Sequence, residues 1–173
     1  MTPDAPHTVP DTRITFIQTG GTIDKDYPRS QGGYPFEITT PAVDRILASL
    51  RPGFEYEVIP LLQKDSLDLT DADRELIFSA CRDSPSDRIV ITHGTDSILT
   101  TTEFLSTIPG KTIVLTGAMR PEWFRDSDAH ANLGVAIGAA QTLGSGVYVV
   151  MHGRVHPWNE VARDPESGRF IGK

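Results

Sequence analysis

The chain has little of what builds covalent or metal-held frameworks. It contains one cysteine, Cys81, so neither a disulfide scaffold nor a cysteine–zinc cluster can organise it. A lone thiol fits a reducing compartment, and a cytoplasmic location is expected. No apolar run approaches the ~20 residues that a membrane helix needs; the longest, Gly134 to Ala140, falls far short. Positive charge is scarce: 16 Lys and Arg face 23 Asp and Glu, a formal net charge of −7. The basic residues are scattered and leave no patch for nucleic-acid phosphates, so neither nucleic acid nor membrane is an expected partner. The start of the chain lacks the basic and apolar regions of a signal peptide. Residues 1–12, proline-rich and polar, read as a flexible tail. The phosphate-binding patterns GxGxxG and GxxxxGK[ST], the zinc pattern HExxH and the GxSxG elbow are all missing.

What is present is a regular alternation over 13–173, read as one domain. Apolar β-rich segments at Arg13 to Gln18, Phe54 to Leu62, Arg88 to Thr92, Lys111 to Thr116 and Gly146 to Met151 alternate with helical patterns. The first helix is expected to start at Thr40 as N-cap with Pro41 at its first position, its stripe being Val43, Ile46, Leu47 and Leu50. Thr70 and Asp73 resemble a capping box before a helix expected to bury Leu76, Ile77 and Ala80. Ile98 to Leu105 is a third helix. Ser127 opens a fourth, Asp128 to Leu143. The tail from His152 reads as loop. Continuous apolar strands between amphipathic helices imply a three-layer α/β fold, a mostly parallel sheet with helices on both faces, Rossmann-like or flavodoxin-like.

In such a sheet, ligands bind at the carboxyl edge of the strands. The polar clusters TGGT, KDS, HGTD, GAMRP and HGRVHPWNE each follow a strand, so they converge on one rim. TGGT reads three ways: an anion cradle of exposed N–H groups, a nucleophilic Thr22 on a flexible loop, or a tight turn with a capping threonine. In HGTD, Thr95 and Asp96 either cap the next helix or form part of a hydroxyl-activating relay. His93, His130, His152 and His156 lack metal-ligand spacing and read as surface or supporting residues. Arg120 either binds an anion or ties down loops.

Together these motifs resemble the bacterial, threonine-nucleophile L-asparaginase family. The matching stretches are IQTGGTID (17–24), ITHGTDSI (91–98), VLTGAMRPE (114–122), SDAHANLG (127–134) and VYVVMHGRV (147–155). The resemblance covers the amino-terminal domain of the longer members. It implies hydrolysis of L-asparagine to L-aspartate and ammonia through an acyl-enzyme on Thr22, with weaker action on glutamine and no cofactor. It implies assistance from a loop tyrosine, Tyr27 ahead of Tyr34. Thr95 then belongs to a second catalytic cluster, and Asp96 holds the substrate α-ammonium. Asp65 and Ser66 are the residues of the KDS loop assigned to the substrate, with Gln63 and Lys64 as neighbours in register. The family places a lysine where Arg163 stands here. An arginine stays charged and cannot act as a neutral base at pH 7, so Arg163 orients Thr95 and Asp96, or Lys64 or Lys25 supplies the base. Low or absent activity is the third outcome. A degenerate domain that binds aspartate or asparagine is the alternative function. Closing the site without the second domain would fall to another copy of the chain or to the tail after His152, so a homo-oligomer is expected.

Overall fold

The computed structural model describes residues 12–27 and 36–173. Residues 1–11 of the expected tail, and Tyr34, lie outside the described residues. In chain order the strands and helices are β1 (Arg13–Gly20), β2 (Lys25–Asp26), β3 (Glu37–Ile38), α1 (Ala42–Leu50), β4 (Glu55–Lys64), α2 (Asp71–Asp83), β5 (Arg88–Thr92), α3 (Ile98–Leu105), β6 (Thr112–Thr116), α4 (Ala129–Thr142), β7 (Gly146–Met151), β8 (Arg154–Pro157), β9 (Val161–Arg163) and β10 (Phe170–Gly172).

The central sheet has the order β4-β1-β5-β6-β7-β8. Its first five strands run parallel, and β8 closes it antiparallel to β7. Strand side chains alternate between faces, and that alternation divides the core. Ile14, Phe16, Val90, Val114 and Val150 meet α1 and α4 through Val43, Ile46, Leu47, Leu133 and Ala136. Ile17, Ile89, Ile91, Ile113 and Val149 meet α2 and α3 through Ile77, Cys81, Ile98 and Leu105. The three-layer α/β architecture is therefore the one the pattern implied.

Local details differ. α1 begins at Ala42, and no side chain of its N-cap residue, Pro41, bonds the first turn. The Ala42 N–H instead donates to Asp24 Oδ1 at 2.7 Å, while the Thr40 hydroxyl accepts from Arg45 Nη1. Leu50 and Leu76 are about half exposed, at 51% and 53%. In α2 the buried positions beside Ile77 are Cys81, the capping residue Asp73, and Arg74. The Thr70–Asp73 capping box forms as expected. The tail after His152 is not loop. β8 extends the sheet, β9 and β10 form a hairpin, and Val161 and Phe170 are buried against the α2–α3 side of the core.

The connections place the strand order's reversal between β1 and β5. From β1 the chain steps outward to β4, then crosses to β5 and continues the other way. That crevice is where sheets of this kind bind ligands.

Candidate active site

The TGGT turn ends β1 at the crevice. Thr19 is buried and donates its hydroxyl to Thr92 O at 2.8 Å, tying β1 to β5. Gly20 and Gly21 have φ of 107° and 85°, values that favour glycine. Both lie where a Cβ would collide with neighbouring backbone, Gly20 with Lys64 and Gly21 with Gly94. The Gly21 N–H donates to Lys64 O at 3.0 Å. Thr22 then opens a 3₁₀ turn, Thr22–Asp24, and is partly exposed.

HGTD ends β5 against this turn. The backbone of Gly94 abuts Gly21 on one side, and on the other a Cβ at Gly94 would meet Ser66 Cβ and Oγ at 2.6 Å. Gly117, after β6, is pressed against His93 O, with Thr95 Cγ2 3.6 Å from its Cβ position. Four strand ends thus meet backbone to backbone. Thr22, Thr95, Asp65 and Ser66 are carried on turns that touch, as the rim argument required.

His93 is fully buried, and both ring nitrogens have partners. Nδ1 pairs with Gly94 O at 2.7 Å and Nε2 with Thr101 Oγ1 at 2.8 Å. Burial pushes it down to about 4, so it is neutral at pH 7 and braces the turn. Thr95 is buried and Asp96 exposed. Arg163 Nη1 donates to Asp96 Oδ1 at 2.7 Å and approaches Thr95 O at 3.5 Å, while its Nε donates to Gly168 O. The β9–β10 hairpin therefore brings Arg163 onto the HGTD turn.

Asp65 is held below the usual carboxylate range by Lys25, whose Nζ donates to Oδ2 at 2.7 Å. Ser66 is buried; its Oγ accepts from the Ser97 N–H and its carbonyl from the Ser97 hydroxyl. Lys64 turns away to the α2 capping box, its Nζ 2.8 Å from Asp73 Oδ1. Both lysines considered as bases are thus engaged with carboxylates. Tyr27 is 53% exposed, with its ring 4.5 Å from that of Phe36.

Supporting residues escape a reading of the sequence alone. Asp128 accepts the Met119 and Arg120 N–H groups, and Asn132 Nδ2 donates to Gly117 O at 3.0 Å. They fix the loop after β6, which is what the SDAHAN stretch does locally. Arg120 pairs with Asp126 at 2.8 Å, a loop tie. Asp24, the last residue of the Thr22 turn, is fully buried and is raised to about 7, chiefly by desolvation. The one sequence signal for Asp24 is its place two residues beyond Thr22. Its partner on α1 cannot be read locally. Among the described residues no group of three His, Cys, Asp or Glu side chains could hold a metal ion, and no helix is long and apolar enough to cross a membrane.

Comparison with known proteins agrees with this geometry. The "Asparaginase, N-terminal" family model matches residues 13–166. An L-asparaginase of Thermococcus kodakarensis is 30% identical over 149 residues, covering 83% of this chain and 45% of the relative. The solved structure of the thermostable L-asparaginase from that organism superposes with a TM-score of 0.83 at 29% identity, covering 93% of this chain and 51% of that one. A glutamyl-tRNA(Gln) amidotransferase component of Thermoplasma acidophilum is 30% identical over 151 residues, covering 82% of this chain and 36% of the relative. The chain spans about half or less of the length of these proteins. By the extent of that match and by its fold, the chain belongs to the asparaginase family, over that family's N-terminal domain.

Proposed function

We propose that the chain carries the nucleophile of an amidohydrolase that converts L-asparagine and water to L-aspartate and ammonia. The observation that carries this reading is the contact between the Gly21 and Gly94 backbones. It brings the Thr22 and Thr95 turns together at the crevice where the strand order reverses.

Thr22 Oγ attacks the side-chain amide carbon. Its proton passes through the Tyr27 phenol to the leaving nitrogen, the C–N bond breaks and ammonia departs. Water, oriented by Thr95, then adds to the acyl ester; its proton returns to Thr22 and L-aspartate is released. Backbone N–H groups of the glycine turns and the Thr95 hydroxyl are the donors for the oxyanion. Losing one such donor costs about 10²–10³ in rate. Asp96 receives the substrate α-ammonium, and Asp65 with Ser66 frames its α-substituents. Arg163 holds the Asp96 carboxylate in place through its 2.7 Å contact. Glutamine, longer by one methylene, is a weaker substrate: a pocket values a methylene at only ~1–3 kcal/mol. No step calls for a cofactor. A second copy of the chain closes the site, so the active form is a homo-oligomer in the cytoplasm.

A second reading has its own support. Arg163 occupies Asp96, and both nearby lysines are paired. This suits a domain that binds aspartate or asparagine without turnover. Ammonia release from L-asparagine and L-glutamine separates the two, run with wild-type protein, Thr22→Ala and Arg163→Lys. Loss in Thr22→Ala, with a gain in Arg163→Lys, supports the hydrolase. No release from any of them, with calorimetric L-aspartate binding intact in Thr22→Ala, supports the binding domain.

A further inference from the structure

The turn that carries Thr22 is tied to β4 and β5 through Gly21, and to α1 and the loop after β6 through the residues just behind Thr22. The Asp24 N–H donates to Gly21 O, and Ile23 O accepts from the Glu122 N–H. Asp24 O accepts both the N–H and the hydroxyl of Thr39. The Asp24 side chain reaches across to α1, where Oδ1 accepts the Ala42 N–H at 2.7 Å. One residue therefore joins the turn, the segment before α1 and the N-terminus of α1.

The other half of this carboxyl poses a problem. Asp24 Oδ2 is buried without a hydrogen-bond partner, and so is Gln18 Oε1. The Gln18 amide lies within hydrogen-bonding reach of the Asp24 carboxyl, and its Nε2 donates to Thr39 O at 2.9 Å. With Asp24 ionised, both Oδ2 and Gln18 Oε1 are buried acceptors without a donor, and each unpaired buried group costs about 1–3 kcal/mol. Turning the Gln18 amide over only moves the conflict, because Oε1 then faces Thr39 O. One proton on Oδ2 removes both defects at once.

The charges around the group point the same way. Arg45, on α1, is the nearby cation, but its Nε is committed to Glu122 Oε2 at 2.6 Å. Glu122, on the loop after β6, is itself nearly buried and faces His130 Nε2 of α4 at 3.7 Å. Arg45 Nη2 is buried and unpartnered, so it does not bond Asp24. The Arg45–Glu122 pair is neutral as a unit. An ionised Asp24 would add a second negative charge to an enclosed site that holds one cation, and such a group neutralises instead.

We propose that Asp24 is a positioning residue for Thr22, held as a neutral carboxylic acid: Oδ2–H donates to Gln18 Oε1 while Oδ1 caps α1. Ionisation breaks the Gln18 link and loosens the Thr22 turn from α1. The device rests on the amidohydrolase reading for its catalytic consequence, but not for its protonation.

Asparagine reproduces the neutral acid, with an oxygen for Ala42 and an N–H for Gln18, so Asp24→Asn and Asp24→Ala make the test. Thermal unfolding of both and of wild type is followed from pH 4 to 9. The Tm of Asp24→Asn minus that of wild type is expected to grow from pH 4 to about 7 and then level. His130→Gln, which leaves Asp24 in place, is expected not to reproduce that pH-dependent difference. A difference independent of pH overturns the proposal. With L-asparagine, Asp24→Asn is expected to keep wild-type kcat near pH 6 and to hold it above pH 7, where wild type falls. Asp24→Ala is expected to lose about 10–100-fold in kcat with little change in KM. Equal losses in both variants at every pH overturn the positioning role. If no protein releases ammonia, the amidohydrolase reading fails, and the Tm difference still decides the state of Asp24.

Discussion

A single added carbon separates two glycines of the same chain. At Gly94 a Cβ would lie 2.6 Å from Ser66 and would also strain the junction of the β1, β4 and β5 turns. At Gly134, on α4, a Cβ would meet nothing within 4 Å. Gly94→Ala is expected to cost about 1–3 kcal/mol, as overpacking does, and to lower turnover by prising Thr22 from Thr95. Gly134→Ala is expected to be neutral or to stabilise by up to ~1 kcal/mol through helix propensity. Denaturant unfolding of the pair checks both signs. At this scale the sequence is readable wherever a residue acts through the strand it follows. The turns that hold Thr22, Thr95, Asp96 and Asp65 meet because parallel strands deliver them to one edge. Asp24 and Gln18 are not readable. Their partners are Ala42 and Thr39, on the far side of a long connection, and a buried polar pair leaves no periodic trace.

The same contrast separates the ends of α1 and α2. α2 is capped from within its own sequence. The Thr70 hydroxyl accepts the Asp73 N–H, Asp73 accepts the Thr70 N–H, and Lys64 binds the same carboxylate. A local rule finds this arrangement. α1 is capped by Asp24, eighteen residues upstream, so the same local rule misassigns the task to Thr40. Thr70→Ala is expected to cost ~1 kcal/mol, because it strips one orphan N–H and loosens Asp73. Thr40→Ala is expected to cost a few tenths of that, because its hydroxyl only receives Arg45. Thermal unfolding of the two variants beside wild type checks the order. The tail shows another limit of local reading. β9 and β10 are three residues each, too short for a period-2 pattern, yet they carry Arg163 to Asp96. Tertiary contact through Phe170 and Val161 forms this hairpin, and propensity does not announce it.

Across the whole molecule, buried titrating groups pull stability in opposite directions. Asp73 is held down to about 2, first by the Lys64 hydrogen bond. A depressed carboxyl stabilises above its unfolded value, and that contribution is lost as pH falls from about 4 to 2. Asp24 is raised from 3.8 to about 7. Between those values the folded chain binds the extra proton, so stability falls as pH rises. His93 is lowered from 6.5 to about 4. There the unfolded chain binds the extra proton, so stability climbs over nearly the same range. At ~1.4 kcal/mol per pH unit, the two opposing contributions total about 4 and 3 kcal/mol over their ranges. They nearly cancel. Wild-type stability is therefore expected to rise from pH 2 to about 4, stay close to level to about pH 7, and show neither buried group. Asp24→Asn removes the falling slope and exposes the climb due to His93. Its unfolding free energy is expected to increase by about 3 kcal/mol between pH 4 and 6.5 while the wild-type curve stays flat. Urea unfolding of the two proteins across pH 3–8 makes the comparison. Parallel curves would mean that Asp24 does not take up its proton on folding; a flat Asp24→Asn curve would mean that His93 does not release one.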